Sequence, residues 1–249
     1  MPPAGSRNGA PTGVLVLDFD GTVCLGEGPV RAYANAILPH LDARLAAQVS
    51  DGLLGYLADH PGAGDYADGY DAIAQLAGPH VTAEILGAAY ADSRSLLAGG
   101  GLDIRAPAGL AALLDRLRPA VRVVLMTNAP HTGLPESLAT LGLTAGIDEI
   151  IASAGKPAGS PAILRRLLGG ADPRTLLSVG DLWVNDIAPA LELGCATAFI
   201  DRDGRDESPA DVRGRTMPEL YPAIEAWARS PHDFADATAP APRSVPSTC

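Results

Sequence analysis

Two hydrophobic rhythms alternate along the chain. Short apolar runs rich in Val, Ile and Leu occur at Val14 to Leu17, Val121 to Met126, Glu149 to Ala152, Leu176 to Val179 and Ala196 to Ile200. Between most of them apolar residues return at helical spacing, over Pro107 to Arg118, Gly133 to Leu141, Pro161 to Leu168 and Asp186 to Leu193. Ser160-Pro161 offers an N-cap followed by a proline at the first helical position. Strands alternating with helices predict βαβ units, hence an α/β fold with a Rossmann-like parallel sheet and helices on both faces.

The interval from Leu17 to Val121 is far longer than the dozen or so residues that a crossover needs. Its apolar residues fall at helical spacing over Val30 to Leu57, Tyr66 to Leu76 and Val81 to Leu97, and no strand pattern interrupts them. Gly26 and Gly28 mark its start and Gly99, Gly100 and Gly101 its end. The pattern predicts an inserted all-helical domain over 26–101, on two flexible connections, that closes over a site as a lid. The α/β core then takes 13–25 and 102–229, with a flexible leader at 1–12 and an Ala-Pro-rich disordered tail at 230–249.

Composition narrows the function. The chain has 249 residues, 47% of them hydrophobic, enough to bury a core. The apolar runs are too short to span a bilayer, and the first residues lack the apolar stretch of a secretory signal. Cys24, Cys195 and Cys249 are too scattered for a disulfide framework. A net charge of -11 disfavours binding a nucleic-acid backbone through the surface field. The expectation is a cytoplasmic protein that binds neither nucleic acid nor membrane. Of the 18 basic residues, 17 are arginine and one is lysine, Lys156. Lysine is a compact point charge where arginine is a planar fork, so a lone lysine in an arginine-rich chain points to a chemical role.

Ligands of open parallel sheets sit at the carboxyl ends of the strands. The first predicted strand ends in Asp18-Phe19-Asp20-Gly21-Thr22, and alternation along a strand sends Asp18 and Asp20 toward one crevice. The second ends at Thr127-Asn128, Lys156 follows the third, and the fourth ends in Gly180-Asp181 ahead of Asn185 and Asp186. Taken singly, Thr127 is equally a helix cap, Asn185-Asp186 an N-cap pair and Lys156 a solvated charge. Taken together, four acidic groups sharing one crevice need a cation.

These four motifs in order, DFDGT at 18–22, Thr127, Lys156 in Gly-Lys-Pro and GDLWVND at 180–186, resemble the haloacid-dehalogenase (HAD) superfamily, in its phosphatase type with a helical C1 cap. The resemblance covers the sheet domain and does not reach the insert. It implies Mg²⁺-dependent hydrolysis of a small-molecule phosphomonoester through an aspartyl-phosphate. Asp18 is then the nucleophile and Asp20 the general acid/base. Thr127, with Asn128 beside it, binds phosphate oxygens, and Lys156 neutralises nucleophile and phosphate. The magnesium ligands are Asp18, the Asp20 carbonyl and Asp181, while Asp186 holds a metal-bound water or orients Lys156.

Asp20 distinguishes branches of that superfamily. The dehalogenases lack this second aspartate, since a carbon–halogen bond needs no leaving-group proton. The phosphonatases use a cap lysine, and residues 26–101 contain none. A sugar phosphomutase shares the same carboxylate pair and is the second reading, although Val30-Arg31 stands where those mutases carry a histidine. A catalytically silent phosphate-binding module is the third. Glu27 lies where relatives place an acidic residue near substrate, and Arg31, Tyr33, His60 and Arg94 are candidates to touch the substrate from the insert. A helical lid favours a small phosphorylated metabolite as partner.

Overall fold

In the structure, a computed structural model that describes residues 11–58, 66–204 and 206–238, the apolar runs become strands. They are β1 (Gly13–Leu17), β2 (Val121–Met126), β3 (Glu149–Ile151), β4 (Leu176–Gly180) and β5 (Ala196–Ile200). A further strand, β6 (Val212–Gly214), pairs with β5. Val212 is the one large apolar residue among its three, so no apolar run announces it. Every pairing is parallel, and the order across the sheet is β3-β2-β1-β4-β5-β6.

Side chains alternate across this sheet as the pleat requires. Val16, Val124, Met126 and Leu176 face α7 (Ser160–Leu168) and α8 (Ala188–Glu192), packing with Leu164 and Ala190. On the other face Gly13 lies against the ring of Trp227, from α9 (Met217–Arg229), on which α5 (Leu110–Leu117) packs. The sheet therefore carries helices on both faces. The sequence pattern passes over α9 because Pro222 interrupts it, yet its buried stripe of Met217, Leu220, Ile224 and Trp227 has helical spacing.

The chain leaves β1 for β2 and β3 on one side, then returns to place β4 on the other side of β1. That reversal opens a crevice at the carboxyl ends of β1 and β4. By contact, the sheet and its helices form one unit, with the residues up to Val23, Pro107–Asn128 and those from Gly146 on. The structure corrects the expected tail: Pro231–Thr238 form a helix, α10, that packs on α9 and buries Phe234. Ser230 donates to Asp233 at 2.6 Å at its start. Residues 1–10 and 239–249, the rest of the expected leader and tail, lie outside the described residues, as does His60.

The second unit comprises Cys24–Ala106 and Ala129–Ala145. It is built from α1 (Gly28–Ile37), α2 (Ala43–Leu57), α3 (Gly69–Ala77), α4 (Ala83–Ala98) and α6 (Leu134–Thr140). The last follows the end of β2 in sequence, which predicts a place in the core over 102–229, but it packs on α4 in the second unit. The four longer helices form two hairpins at a 40-residue interval: Pro39-His40-Leu41-Asp42-Ala43 is matched by Pro79-His80-Val81-Thr82-Ala83. Asp42 and Thr82 both N-cap the helix that follows, on Leu45 N–H and Ile85 N–H. Buried positions repeat as well, Ala32 with Ala72, Ile37 with Ala77 and Val49 with Ala89. α1 packs on α4 and α2 on α3, so each hairpin covers the apolar stripe that the other cannot bury alone.

The glycines at the start of this unit are close-packed. Leu25 and Arg105 exchange main-chain hydrogen bonds of 2.8 Å as an antiparallel bridge, and a Cβ on Gly26 would lie 2.5 Å from Asp103 O. Gly26 also holds φ at +121°, which side-chain-bearing residues rarely adopt.

Candidate active site

Each strand end in the crevice delivers one polar group. Asp18 follows β1, its N–H donating to Val179 O at 3.0 Å, which extends the β1–β4 ladder up to the carboxylate. Thr127 follows β2 and is likewise held by the backbone: its N–H donates to Ile151 O at 3.0 Å and its carbonyl accepts from Ala154 N–H at 2.9 Å. Thr127 is buried and is not a helix cap, since Gly133 occupies that position for α6. Asn128 turns its side-chain amide onto the main chain of Lys156.

After β4, Asp181 leads into a single wide turn of π-helix, Trp183–Ile187. That turn brings Asp186 back toward Asp181. Leu182 N–H donates to Asp186 Oδ2 at 3.1 Å, and Ser178 Oγ donates to the Asp186 carbonyl at 2.7 Å. Asp186 is buried and does not cap α8, where Ile187 stands in that position.

Lys156 unites these pieces. Its Nζ donates to Asp18 Oδ1 at 2.6 Å and to Asp186 Oδ1 at 2.6 Å, and its side chain is only 3% exposed. The lone lysine is therefore a buried charge held by two carboxylates. Asp181 completes the group: one oxygen from each of Asp18, Asp181 and Asp186 lies within 4.8 Å of the others.

The charges in this crevice are out of balance. Burial, with the Asp186 carboxylate second, pushes Asp18 well above the usual aspartate range, against the pull of Lys156. Burial also raises Asp186, with Lys156 opposing it. For Lys156, burial alone would lower the pKa, but the two carboxylates together outweigh it and hold the ammonium above its ordinary value. Three clustered carboxylates therefore favour a further positive charge, and an all-oxygen donor set suits a hard divalent cation. The residues present fit magnesium.

Arg202 has no place in the sequence-based reading. It lies just past β5 and donates to Asp181 Oδ2 at 2.8 Å and to Gly21 O at 2.7 Å. Thr22 Oγ1 donates to the other Asp181 oxygen at 3.3 Å. The rule that places ligands at strand ends points to Arg202 as well, since it stands two residues past Ile200, the last residue of β5. Gly21, at φ +81°, has no room for a Cβ, which would lie 2.1 Å from Asp181 Oδ2 and 2.2 Å from Arg202.

The candidates from the insert belong to the helical unit. Arg31 and Glu27 pair with each other across one helical turn, 2.6 Å apart, both about half exposed. Tyr33 and Arg94 are buried: Tyr33, Tyr70 and Tyr90 form a ring cluster, and the Arg94 guanidinium stacks 5.2 Å from Tyr70 and 5.0 Å from Tyr90. No helix among the described residues is long and apolar enough to cross a membrane.

No protein-family model matches the sequence. The chain is similar to a probable cobalt/nickel-exporting P-type ATPase of Mycolicibacterium smegmatis, 32% identical over 258 aligned positions, taking in 88% of this chain and 39% of that protein. It thus spans about two-fifths of that relative's length. Among solved structures it resembles a predicted phosphoglycolate phosphatase from Haemophilus somnus, with a TM-score of 0.59 at 18% identity over 86% of this chain and 98% of that one. It also resembles the putative HAD-hydrolase YfnB of Bacillus subtilis bound to magnesium, with a TM-score of 0.58 at 16% identity over 86% of this chain and 99% of that one. An L-2-haloacid dehalogenase matches with a TM-score of 0.54 at 17% identity over 87% of this chain and 100% of that one. The resemblance carried by the four motifs is thus matched by the fold.

Proposed function

We propose that this chain, which has the haloacid-dehalogenase-like hydrolase fold, is a magnesium-dependent phosphatase acting on a small phosphorylated metabolite. The observation that carries the reading is the Asp18 carboxylate at the end of β1, held 2.6 Å from the ammonium of a buried lysine and clustered with Asp181 and Asp186. A carboxylate attacks a phosphoryl dianion only where positive charge surrounds the phosphorus.

In this reading Asp18 attacks phosphorus and forms an aspartyl-phosphate as the phosphorus–oxygen bond to the leaving group breaks. Asp20 gives its proton to the departing oxygen, then takes one from the water that hydrolyses the intermediate. Thr127, fixed by its main-chain bonds to Ile151 and Ala154, binds phosphoryl oxygens. Lys156 holds Asp18 and neutralises the phosphate. Asp18, Asp181 and Asp186, with the Asp20 carbonyl, would hold the magnesium, which supplies further charge stabilisation of the phosphoryl group when bound.

Dehalogenases share this fold, and Asp20 supports the phosphatase reading, because only an oxygen leaving group needs a proton. Glu27 and Arg31, both of the helical unit, are proposed as substrate contacts, and the proposed working compartment is the cytoplasm. Phosphate release across a panel of phosphomonoesters, with and without Mg²⁺, tests the reading beside an Asp18→Asn control. Mg-dependent release that the control lacks supports it. Interconversion of sugar phosphates without release would favour the mutase, and magnesium-dependent binding without turnover the silent module.

A further inference from the structure

Asn128 sits where β2 has ended and its chain parts from the loop after β3. Up to Thr127 the two strands are joined by main-chain hydrogen bonds, the last to Ala154. One residue later a side chain takes over. Asn128 Oδ1 accepts from Lys156 N–H at 2.6 Å, and Asn128 Nδ2 donates to Lys156 O at 3.0 Å. A carboxamide offers an acceptor oxygen and two N–H donors, and here the oxygen and one N–H go to the main chain of a single residue, as a neighbouring strand would pair with it.

The residue so clasped is the lysine whose Nζ lies 2.6 Å from both Asp18 and Asp186. A flexible four-carbon stem fixes its ammonium only if the main chain beneath it is fixed. We infer that Asn128 is a positioning residue for Lys156, acting through the lysine main chain, and not a phosphate ligand through its own side chain. Its kinetic consequence rests on the phosphatase reading above, whereas the clasp itself is measurable without turnover.

The chain's single lysine makes that measurement direct. Protein grown with nitrogen-15-labelled lysine gives one backbone amide cross-peak, that of Lys156. With the hydrogen bond to Asn128 Oδ1 in place, the peak lies downfield and exchanges slowly. In Asn128→Ala it moves upfield and exchanges faster, while in Asn128→Asp, which keeps the acceptor for that N–H, protection returns. Acylation of the Lys156 amine, read by mass spectrometry, rises in Asn128→Ala as the buried ammonium comes loose. Displacing a catalytic group by about 1 Å costs up to about a hundredfold, so kcat of Asn128→Ala falls by about ten- to a hundredfold with KM within about twofold.

An unchanged cross-peak in folded Asn128→Ala overturns the inference. So does a loss confined to KM, which would make Asn128 a substrate ligand. If the wild-type protein hydrolyses no phosphomonoester, the phosphatase reading fails, and the cross-peak still decides the clasp.

Discussion

Replacing Lys156 with methionine keeps the length of the side chain and removes its charge. The structure sets the scale of the effect. Each carboxylate lies 2.6 Å from Nζ, which at an effective dielectric of about 20 is a gross attraction of about 6 kcal/mol. Desolvation of three buried ions consumes most of it, and truncating one partner of such a buried set costs about 3–5 kcal/mol. At about 2–4 °C per kcal/mol for a chain of this size, Lys156→Met should melt about 6–20 °C below wild type in EDTA. Magnesium should recover much of that loss, because a divalent cation among Asp18, Asp181 and Asp186 replaces the missing positive charge, so the gap between variant and wild type narrows in Mg²⁺. Thermal denaturation of both proteins, with EDTA and with a magnesium titration, measures this. A variant within about 2 °C of wild type in EDTA would refute the reasoning, since a 2 °C shift is about 1 kcal/mol or less and is the scale of a solvated surface pair.

Gly21→Ala places a Cβ against Asp181 and Arg202 at a backbone angle reserved for glycine, so it should weaken magnesium binding, read by calorimetry in the absence of substrate, and lower phosphate release with it. Magnesium affinity equal to wild type would show that the loop moves aside without cost. Burial pushes the Cys195 thiol up to about 12, so it stays protonated and sheltered at pH 8. Alkylation followed by peptide mapping should leave it unmodified in the native protein and modify it after denaturation, and rapid native labelling would contradict its burial.

The sheet was legible because strands packed under helices on both faces read as short, mostly apolar runs, and five such runs stand out, although Arg122 interrupts β2 and the edge strand β3 is only half-buried. The core motifs were legible for a related reason: a crevice at strand ends tells where in the sequence to look. The helices α9 and α10 were not, since Pro222 reads as a helix breaker inside one and an Ala-Pro-rich tail absorbs the other. The helical hairpins were visible as apolar spacing, but their mutual covering and the placement of α6 beside α4 depend on packing between segments far apart in the chain.

The sequence by itself determined the α/β alternation, the order of the four motifs and the singling out of Lys156, because each depends on local periodicity or on residue type. Only the tertiary structure decided what those side chains touch. It turned Lys156 from a charge in a loop into a buried bridge between Asp18 and Asp186, residues 138 and 30 positions away. It added Arg202 to Asp181 and placed the Asn128 amide on the lysine main chain. Hydrogen bonds and ion pairs act over about 3 Å, and no rule of spacing along the chain reports which distant groups the fold brings that close.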